Sequence, residues 1–589
     1  MGVMLRLMEL RQIVGHGHRN NYDLKEEILS KNIFGVDIMP MAVEIARLRA
    51  WLSLVLEADY RPGDRKNNFG IAALPNLDFK FVCANSLIDS GYDSFLTKLD
   101  KTKGYYEVYF DLENEIKKLE QLRNEYFDPR GDKSKKTELQ KNFNTTKSWI
   151  KERFGKLKES KNYDLKDFLD KIDDWNPFDD SQPSSFFSPA WMFGIQDGFD
   201  VVIGNPPYVY RNSDNESLKK YFSATYQSAE GNFDLYKFFI EKTVLILKEK
   251  ANSCLIVPNT FLTAKSYNKL RRFIIENSFI VEIFDLGENL FDGVTVESVI
   301  VRLQRGKLLK RKSIIKIQRD RTTTFDNLDD LYSLDLVEIF AKEKSFNIYL
   351  NPPNNALINK IRQNSIDLGE IAYCTVGINT GYIKNELTAK NKIDITYHKM
   401  LSGRDIGINT VNWKDGWIKY DKAFVDSFGD KGRSLPQEYI FTNEKILVQR
   451  TRRGLKRKLV CYYDTKGFYN LNRLSNIVST SDDFSLKYLH SILNSNLMDY
   501  YFIVVYNEYE VKPVHLAKLP IKKISWDDQK PFIYLVENIL SAKFQNQDTT
   551  ALEKEIDVLV YKLYELSYEE VLIIDPAFGL AKKDYEALG

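Results

Sequence analysis

At 589 residues, 43% of them apolar, the chain is long enough for about three or four globular domains. Its formal charge is only +2, from 84 Lys and Arg against 82 Asp and Glu, so a surface for a polyanion must be a local patch. Four scattered cysteines (Cys83, Cys254, Cys374, Cys461) exclude a disulfide framework and a zinc site and fit a reducing cytoplasm; no apolar run of about 18 residues or secretory signal occurs, so neither membrane nor export is expected.

Residues 1–30 read as a helix from Met4 to Val14, a Gly-His loop in which His16 and His18 are solvated, and a short helix. Ile33–Asp37 predicts a strand ending in an acid. A helix follows, with Pro40 in its first turn and Ile45, Leu48, Leu52 and Val55 on one apolar face. In a dinucleotide-type unit an acid at that place accepts hydrogen bonds from ribose hydroxyls, and Asp37 is the candidate; the competing role is a helix N-cap. Phe79–Ala84 predicts a second strand, and Asn85-Ser86 the polar turn at its end, with Asn85 placed to contact a cofactor base.

From about residue 100 to 195 the composition changes to Lys, Glu, Leu and Gln. Leu112, Ile116, Leu119 and Leu122 recur at helical spacing, which predicts an inserted helical pair broken around Asp128–Gly131. Strand–helix alternation then resumes. Phe199–Gly204 is a β-branched run bounded by glycines that reads as a buried strand and stops at Asn205-Pro206-Pro207-Tyr208. A helix to Leu247 follows, then strands at Ser253–Val257, Val281–Asp285 and Val296–Leu303, with a helix around Ser266–Ile275. Such alternation predicts an α/β domain with a largely parallel sheet covered on both faces.

The turn after Gly204 has a chemical reading. Two prolines lock it and donate no backbone hydrogen bond, leaving carbonyls and the Asn205 amide open to a cleft. Asn205 Oδ1 and the Pro206 carbonyl can accept both protons of an exocyclic amine while Tyr208 stacks on the ring. The alternative is a proline-rich turn that merely ends a strand.

Beyond a basic connector, Arg302–Arg321, the βαβ rhythm is lost. Short strands with Gly, Asn and Asp turns fill residues 346–525, and helical spacing returns in residues 526–589. The stretch from Arg450 to Lys458 packs six basic residues (Arg450, Arg452, Arg453, Lys456, Arg457, Lys458) into nine positions, a cluster suited to phosphates or, failing that, a solvated basic loop. Tyr462, Tyr463, Phe468, Tyr469 and Asn472 follow as side chains that could enter a groove. The division expected is 1–310 for the α/β domain with its insertion, 311–345 as linker, 346–525 as a mixed α+β domain and 526–589 as a helical tail.

In order, Gly35-Val-Asp37, Asn85-Ser-Leu87, Gly204–Tyr208 and Leu290-Phe291 resemble motifs II, III, IV and VIII of the gamma-class adenine-N6 DNA methyltransferases, the TaqI-like and type IIG restriction-modification group. The tetrapeptide alone is also shared with enzymes acting on RNA bases and on glutamine in release factors; the large second half separates this chain from the short glutamine enzymes.

The resemblance implies a Rossmann-like, S-adenosylmethionine-dependent sheet, Asp37 and Asn85 on the cofactor, and an adenine flipped from double-stranded DNA. Asn205, Pro206, Pro207 and Tyr208 would hold that adenine. Phe291 would clamp its other face, unless it is a core aromatic. Residues 346–525 would be the target-recognition domain.

One part of the pattern is missing: no Asp/Glu-x-x-x-Gly-x-Gly turn (motif I) and no motif X precede Asp37. The expected sheet is therefore incomplete at its N-terminal side, with internal strand edges left unpaired. A separate N-terminal segment, or a restriction endonuclease, is the implied partner besides DNA. Without that segment the chain would be an inactive specificity fragment.

Overall fold

The computed structural model describes residues 2–16, 20–71, 74–91, 106–127, 133–155, 169–179, 181–208, 216–231, 233–287, 296–306, 312–317, 330–429, 435–451, 457–506 and 510–588. The chain divides into two compact units: Met1–Ile203 with Phe238–Ser253, and Gly204–Lys237 with Cys254–Gly589.

In chain order the first part consists of α1 (Gly2–Arg11), α2 (Asn21–Lys31), β1 (Gly35–Asp37), α3 (Pro40–Val55) and β2 (Phe81–Cys83). The insertion supplies α4 (Tyr106–Phe127) and α5 (Lys133–Gly155), and α6 (Pro189–Phe193) leads to β3 (Phe199–Gly204). Then come α7 (Leu235–Leu245), β4 (Leu247–Pro258), α8 (Asn268–Asn277), β5 (Ser278–Asp285) and β6 (Ser298–Arg305). The expected helical pair is present, interrupted where Asp128–Gly131 lies outside the described residues.

β1 and β2 pair in parallel, Asp37 opposite Cys83, as a two-stranded sheet. Arg47 of α3 ties that helix to the pair by donating to the Phe81 carbonyl at 2.6 Å. The core beneath is Met4, Leu24, Ile28, Ala50, Leu54 and Leu77. α3 therefore buries Val43, Ala50 and Leu54 and leaves Met41 (67%), Ile45 (47%), Leu48 (52%) and Leu52 (52%) exposed. The row Ile45, Leu48 and Leu52 that the spacing puts on one face is the open one, because the helix is apolar on nearly all sides and packs through its other row.

β3 ends a six-stranded sheet of order β3-β4-β6-β5-β7-β8, in which β7 is Ser313–Ile317 and β8 is Asp330–Leu334. Gly198, just before β3, has φ +91, and a Cβ there would lie 2.8 Å from the Ile246 carbonyl oxygen, so only glycine brings the chain so close to β4. Val201 (60%) and Ile203 (55%) on β3 are exposed. Among the described residues neither β1 nor β3 has a strand on its second edge. β5 is antiparallel to β6 and parallel to β7, so the sheet is mixed.

Residues 311–345, expected as a linker, instead supply β7 and β8. The alternation of Ile315 inward against Ile314 outward carries β7, and its flanking basic residues had hidden it.

In the second unit a four-stranded antiparallel sheet is built from β9 (Ala372–Val376), β10 (Lys445–Gln449), β11 (Cys461–Asp464) and β12 (Leu474–Ser479), in the order β9-β12-β10-β11. Lys445 and Asp464 form a fully buried ion pair at 2.6 Å across β10 and β11. Helices α9 (Leu486–Leu493), α10 (Asn496–Tyr506), α11 (Trp526–Phe544) and α12 (Thr550–Leu563) share one core with that sheet, Phe532, Leu535 and Val560 packing with Ile446 and Ile477. The expected tail is thus part of the same packed body. Among the described residues no helix is long and apolar enough to cross a membrane.

Candidate active site and nucleic-acid surface

Because β1 and β2 are parallel, Asp37 and Asn85 come together at their carboxyl ends. The Ala84 amide donates to the Asp37 carbonyl at 2.9 Å, and the Asn85 amide to Ser184 at 3.0 Å. Asp37 is exposed. Its Oδ1 accepts from the Met39 amide at 2.8 Å, closing the turn into α3, whose N-cap position Met39 has no side-chain cap. Asp37 is therefore not the N-cap anticipated as the alternative: one carboxylate oxygen closes the turn before the helix, and Oδ2 has no protein partner among the described residues. Asn85 Oδ1 accepts from the Leu87 amide at 3.2 Å, which leaves its NH2 as a donor. An open carboxylate oxygen beside an amide donor suits ribose hydroxyls and a purine edge, so these residues fit the adenosine part of S-adenosylmethionine. The turn Ile38-Met39 contains no glycine to cradle the methionine part.

At the end of β3, Pro206 is buried while Asn205 and Pro207 are exposed. The Tyr208 hydroxyl donates to the Ile256 carbonyl of β4 at 3.4 Å. Burial pushes that phenol up, opposed by a hydrogen bond with Ser298. The ring is therefore held at its far end, while the Asn205 amide has no partner among the described residues. Phe291 lies outside the described residues.

Two residues carrying no sequence signal for function lie in the same unit. Glu297, immediately before β6, accepts from Asn259 Nδ2 at 2.7 Å, and its carbonyl accepts from the Asn259 amide at 3.0 Å. Its second carboxylate oxygen lies 3.4 Å from Lys458 Nζ.

That pairing bears on the basic stretch. Arg450 donates to the Asn472 carbonyl at 2.5 Å and to Glu510 at 2.6 Å. Arg457 donates to the Leu459 carbonyl, to Asn496 Oδ1 and to the Asn494 carbonyl at the end of α9. Arg450, Arg457 and Lys458 thus serve to hold the chain on itself, and Arg452, Arg453 and Lys456 lie outside the described residues. Tyr462, Tyr463, Phe468 and Tyr469 are all at most 7% exposed. Tyr463 and Tyr469 spend their hydroxyls on Glu444 and Glu438, so these rings are core rather than groove readers. Tyr382, 84% exposed, is an aromatic of this region that pattern reading passed over.

Residues 31–291, which contain Asp37, Asn85 and the Asn-Pro-Pro-Tyr turn, match the Eco57I restriction-modification methylase family. Residues 398–521 match the TaqI-like C-terminal specificity domain. Over these two stretches the chain is similar to Eco57I-type restriction-modification methylases and to TaqI-like specificity domains.

The chain is 23% identical to the restriction enzyme and methyltransferase RM.MjaORFECS2P of Methanocaldococcus jannaschii, over 96% of this chain and 51% of the relative. It is 21% identical to the type II methyltransferase M.TthHB8I of Thermus thermophilus, over 56% of this chain and 74% of the relative. The chain therefore spans about half the length of the first of these relatives. Among solved structures, the type IIL restriction-modification enzyme MmeI in complex with DNA is similar at TM-score 0.46 and 10% identity, covering 100% of this chain and 77% of that one.

Proposed function

We propose that this chain transfers a methyl group from S-adenosylmethionine to the exocyclic N6 amine of an adenine flipped out of double-stranded DNA, as part of a cytoplasmic restriction-modification system. The observation that carries this reading is the turn after β3: an exposed Asn205 amide with no partner among the described residues, two prolines that donate no backbone hydrogen bond, and a half-buried Tyr208 whose hydroxyl meets the Ile256 carbonyl at 3.4 Å. When bound, S-adenosylmethionine supplies an electrophilic methyl group, with Asp37 and Asn85 holding its adenosine part.

The protein's own work is positioning. Asn205 Oδ1 and the Pro206 carbonyl accept the two amine protons, which orients the nitrogen lone pair away from the ring plane. Tyr208 stacks on one ring face and Phe291 on the other. The amine becomes acidic only as its new bond forms, so no general base is needed beforehand, and the gain comes from orientation and from dipoles aimed at developing charge. A base paired within the duplex cannot meet these groups, hence the flipping. Arg452, Arg453 and Lys456 are the phosphate contacts of the basic stretch, with Arg450, Arg457 and Lys458 bracing it.

The test is tritium transfer from labelled S-adenosylmethionine to duplex DNA, single-stranded DNA and RNA, with Asn205→Ala as the key variant. Loss of about a hundredfold or more in an otherwise folded Asn205→Ala protein is expected. Activity retained by that variant, or directed to RNA, would sink the assignment.

A second reading is supported by the exposed stripe Met41, Ile45, Leu48 and Leu52, the exposed β3 residues Val201 and Ile203, and the open edges of β1 and β3. In it, residues 1–589 bind DNA but complete their cofactor site only with a separate strand-bearing segment that carries the glycine-rich turn. Calorimetric titration with S-adenosylmethionine separates the two. Micromolar binding by the chain alone favours the stand-alone enzyme, and binding only after such a segment is added favours the second reading.

A further inference from the structure

The strand pair β1 and β2 has a second end. Phe34 immediately precedes β1 and Lys80 immediately precedes β2, so both lie at the amino ends of these parallel strands, opposite to Asp37 and Asn85. A cavity of about 230 Å³ lies there. Its wall contains the cations Lys31, Lys80 and Arg123 and the rings of Phe34, Phe127 and Phe193, and none of the described residues lining it is acidic.

The two inner cations are set differently. Arg123, in the last turns of α4, is only 6% exposed and anchors one guanidinium nitrogen on the Trp191 carbonyl at 2.5 Å. The Lys80 ammonium lies 4.3 Å from the centroid of Phe34 and 5.9 Å from that of Phe127, so rings cover it on two sides. Burial, with Arg123 nearby, pulls its pKa down to about 8. Lys31 is exposed and paired with Glu27 at 3.1 Å, and contributes less. A buried guanidinium and a half-buried ammonium thus line one aromatic-walled cavity, where an anion would meet charge-assisted donors in a site largely shielded from water.

We infer that this cavity binds a phosphate group carried on a planar or apolar body, the chemistry of a nucleoside monophosphate, with Lys80 and Arg123 donating to the phosphate and the phenylalanine rings facing the attached group. Guanidinium and ammonium donors make the strong, charge-assisted bonds that a dianion needs. Aromatic walls give the remainder of such a ligand an apolar surface. The site lies at the opposite end of the strand pair from Asp37, and it does not depend on methyl transfer.

The experiment is lysine footprinting of the full chain at pH 8 with an acetylating reagent, read by mass spectrometry. It is run with inorganic phosphate, adenosine 5′-monophosphate or adenosine added, and Lys342 serves as an exposed reference. Expected is protection of Lys80 by about tenfold with the monophosphate and no change at Lys342. Protection by inorganic phosphate as well assigns the affinity to the phosphate alone; protection by the nucleotide only assigns it to the combined ligand. Equal protection by adenosine, or labelling of Lys80 unaffected by all three, overturns the proposal. In parallel, calorimetry with the monophosphate should show about tenfold weaker binding to Lys80→Met, which keeps the alkyl stem. Unchanged affinity in that variant likewise overturns it.

Discussion

Lys458 and Glu297 pair at 3.4 Å, their side chains only 12% and 15% exposed, so the last residue of the basic stretch is bound to the segment that opens β6. Lys458 is therefore expected to matter first for stability. Lys458→Met leaves a mostly buried carboxylate without its cation and should lower unfolding free energy by about 1–3 kcal/mol, as should Glu297→Gln, while the double variant recovers part of the loss. Urea denaturation of the four proteins checks this. Strict additivity of the two single losses would mean that the pair does not interact.

Tyr208 is half-buried, with its hydroxyl bonded to Ile256 at 3.4 Å. A bond of that length contributes little, so Tyr208→Phe should keep methyl transfer within about tenfold of the parent, whereas Tyr208→Ala should lose about a hundredfold. Single-turnover rates at saturating DNA are the measurement. A Phe variant as inactive as the Ala variant would place the function in the hydroxyl instead of the ring.

His490 of α9 is 1% exposed and shares a 3.1 Å contact between its Nε2 and the Asn494 amide. Burial pulls its pKa from 6.5 down to about 4. The fold thus favours the neutral ring, and the stability this carries is full above pH 6.5 and is lost as pH falls toward 4. His490→Gln removes the titration and retains an acceptor for Asn494. The gap in unfolding free energy between parent and variant should narrow or reverse on acidification from pH 7 to 4, by up to on the order of 3 kcal/mol. Parallel pH profiles for the two proteins would refute it.

The open face of α3 gives a prediction about solubility. Ile45→Lys with Leu52→Glu should reduce self-association in light scattering while leaving unfolding free energy within about 0.5 kcal/mol, because both side chains are roughly half exposed. A loss of about 2 kcal/mol or more would show that this face is packed in solution.

Residues that announce themselves locally were legible. Phe199–Gly204 is β-branched and glycine-bounded, and its strand is present, but Val201 and Ile203, expected to be buried, are exposed because the strand lies at the sheet's edge. The Asn-Pro-Pro-Tyr turn needs no distant partner to be recognised. The orientation of α3 was not legible, because Val43, Ala50 and Leu54 form a second apolar row beside Ile45, Leu48 and Leu52, and periodicity ranks neither above the other. The pairing of the basic stretch was equally hidden: Glu297 is 161 residues from Lys458, and Glu510 is 60 from Arg450. Charge density shows in a sequence; the acid that neutralises it does not.

The contact from Tyr208 to Ile256 sets the far end of the ring beside β4, so the packing of that strand bears on the ring's position, as does the turn that carries the ring. Leu255 and Val257, the neighbours of Ile256, are buried at 2% and 0% exposure. A packing change under either would shift the backbone beside which the ring ends, with or without the hydroxyl bond. Substitutions that look purely structural at those two positions would then surface as slow turnover with DNA affinity intact.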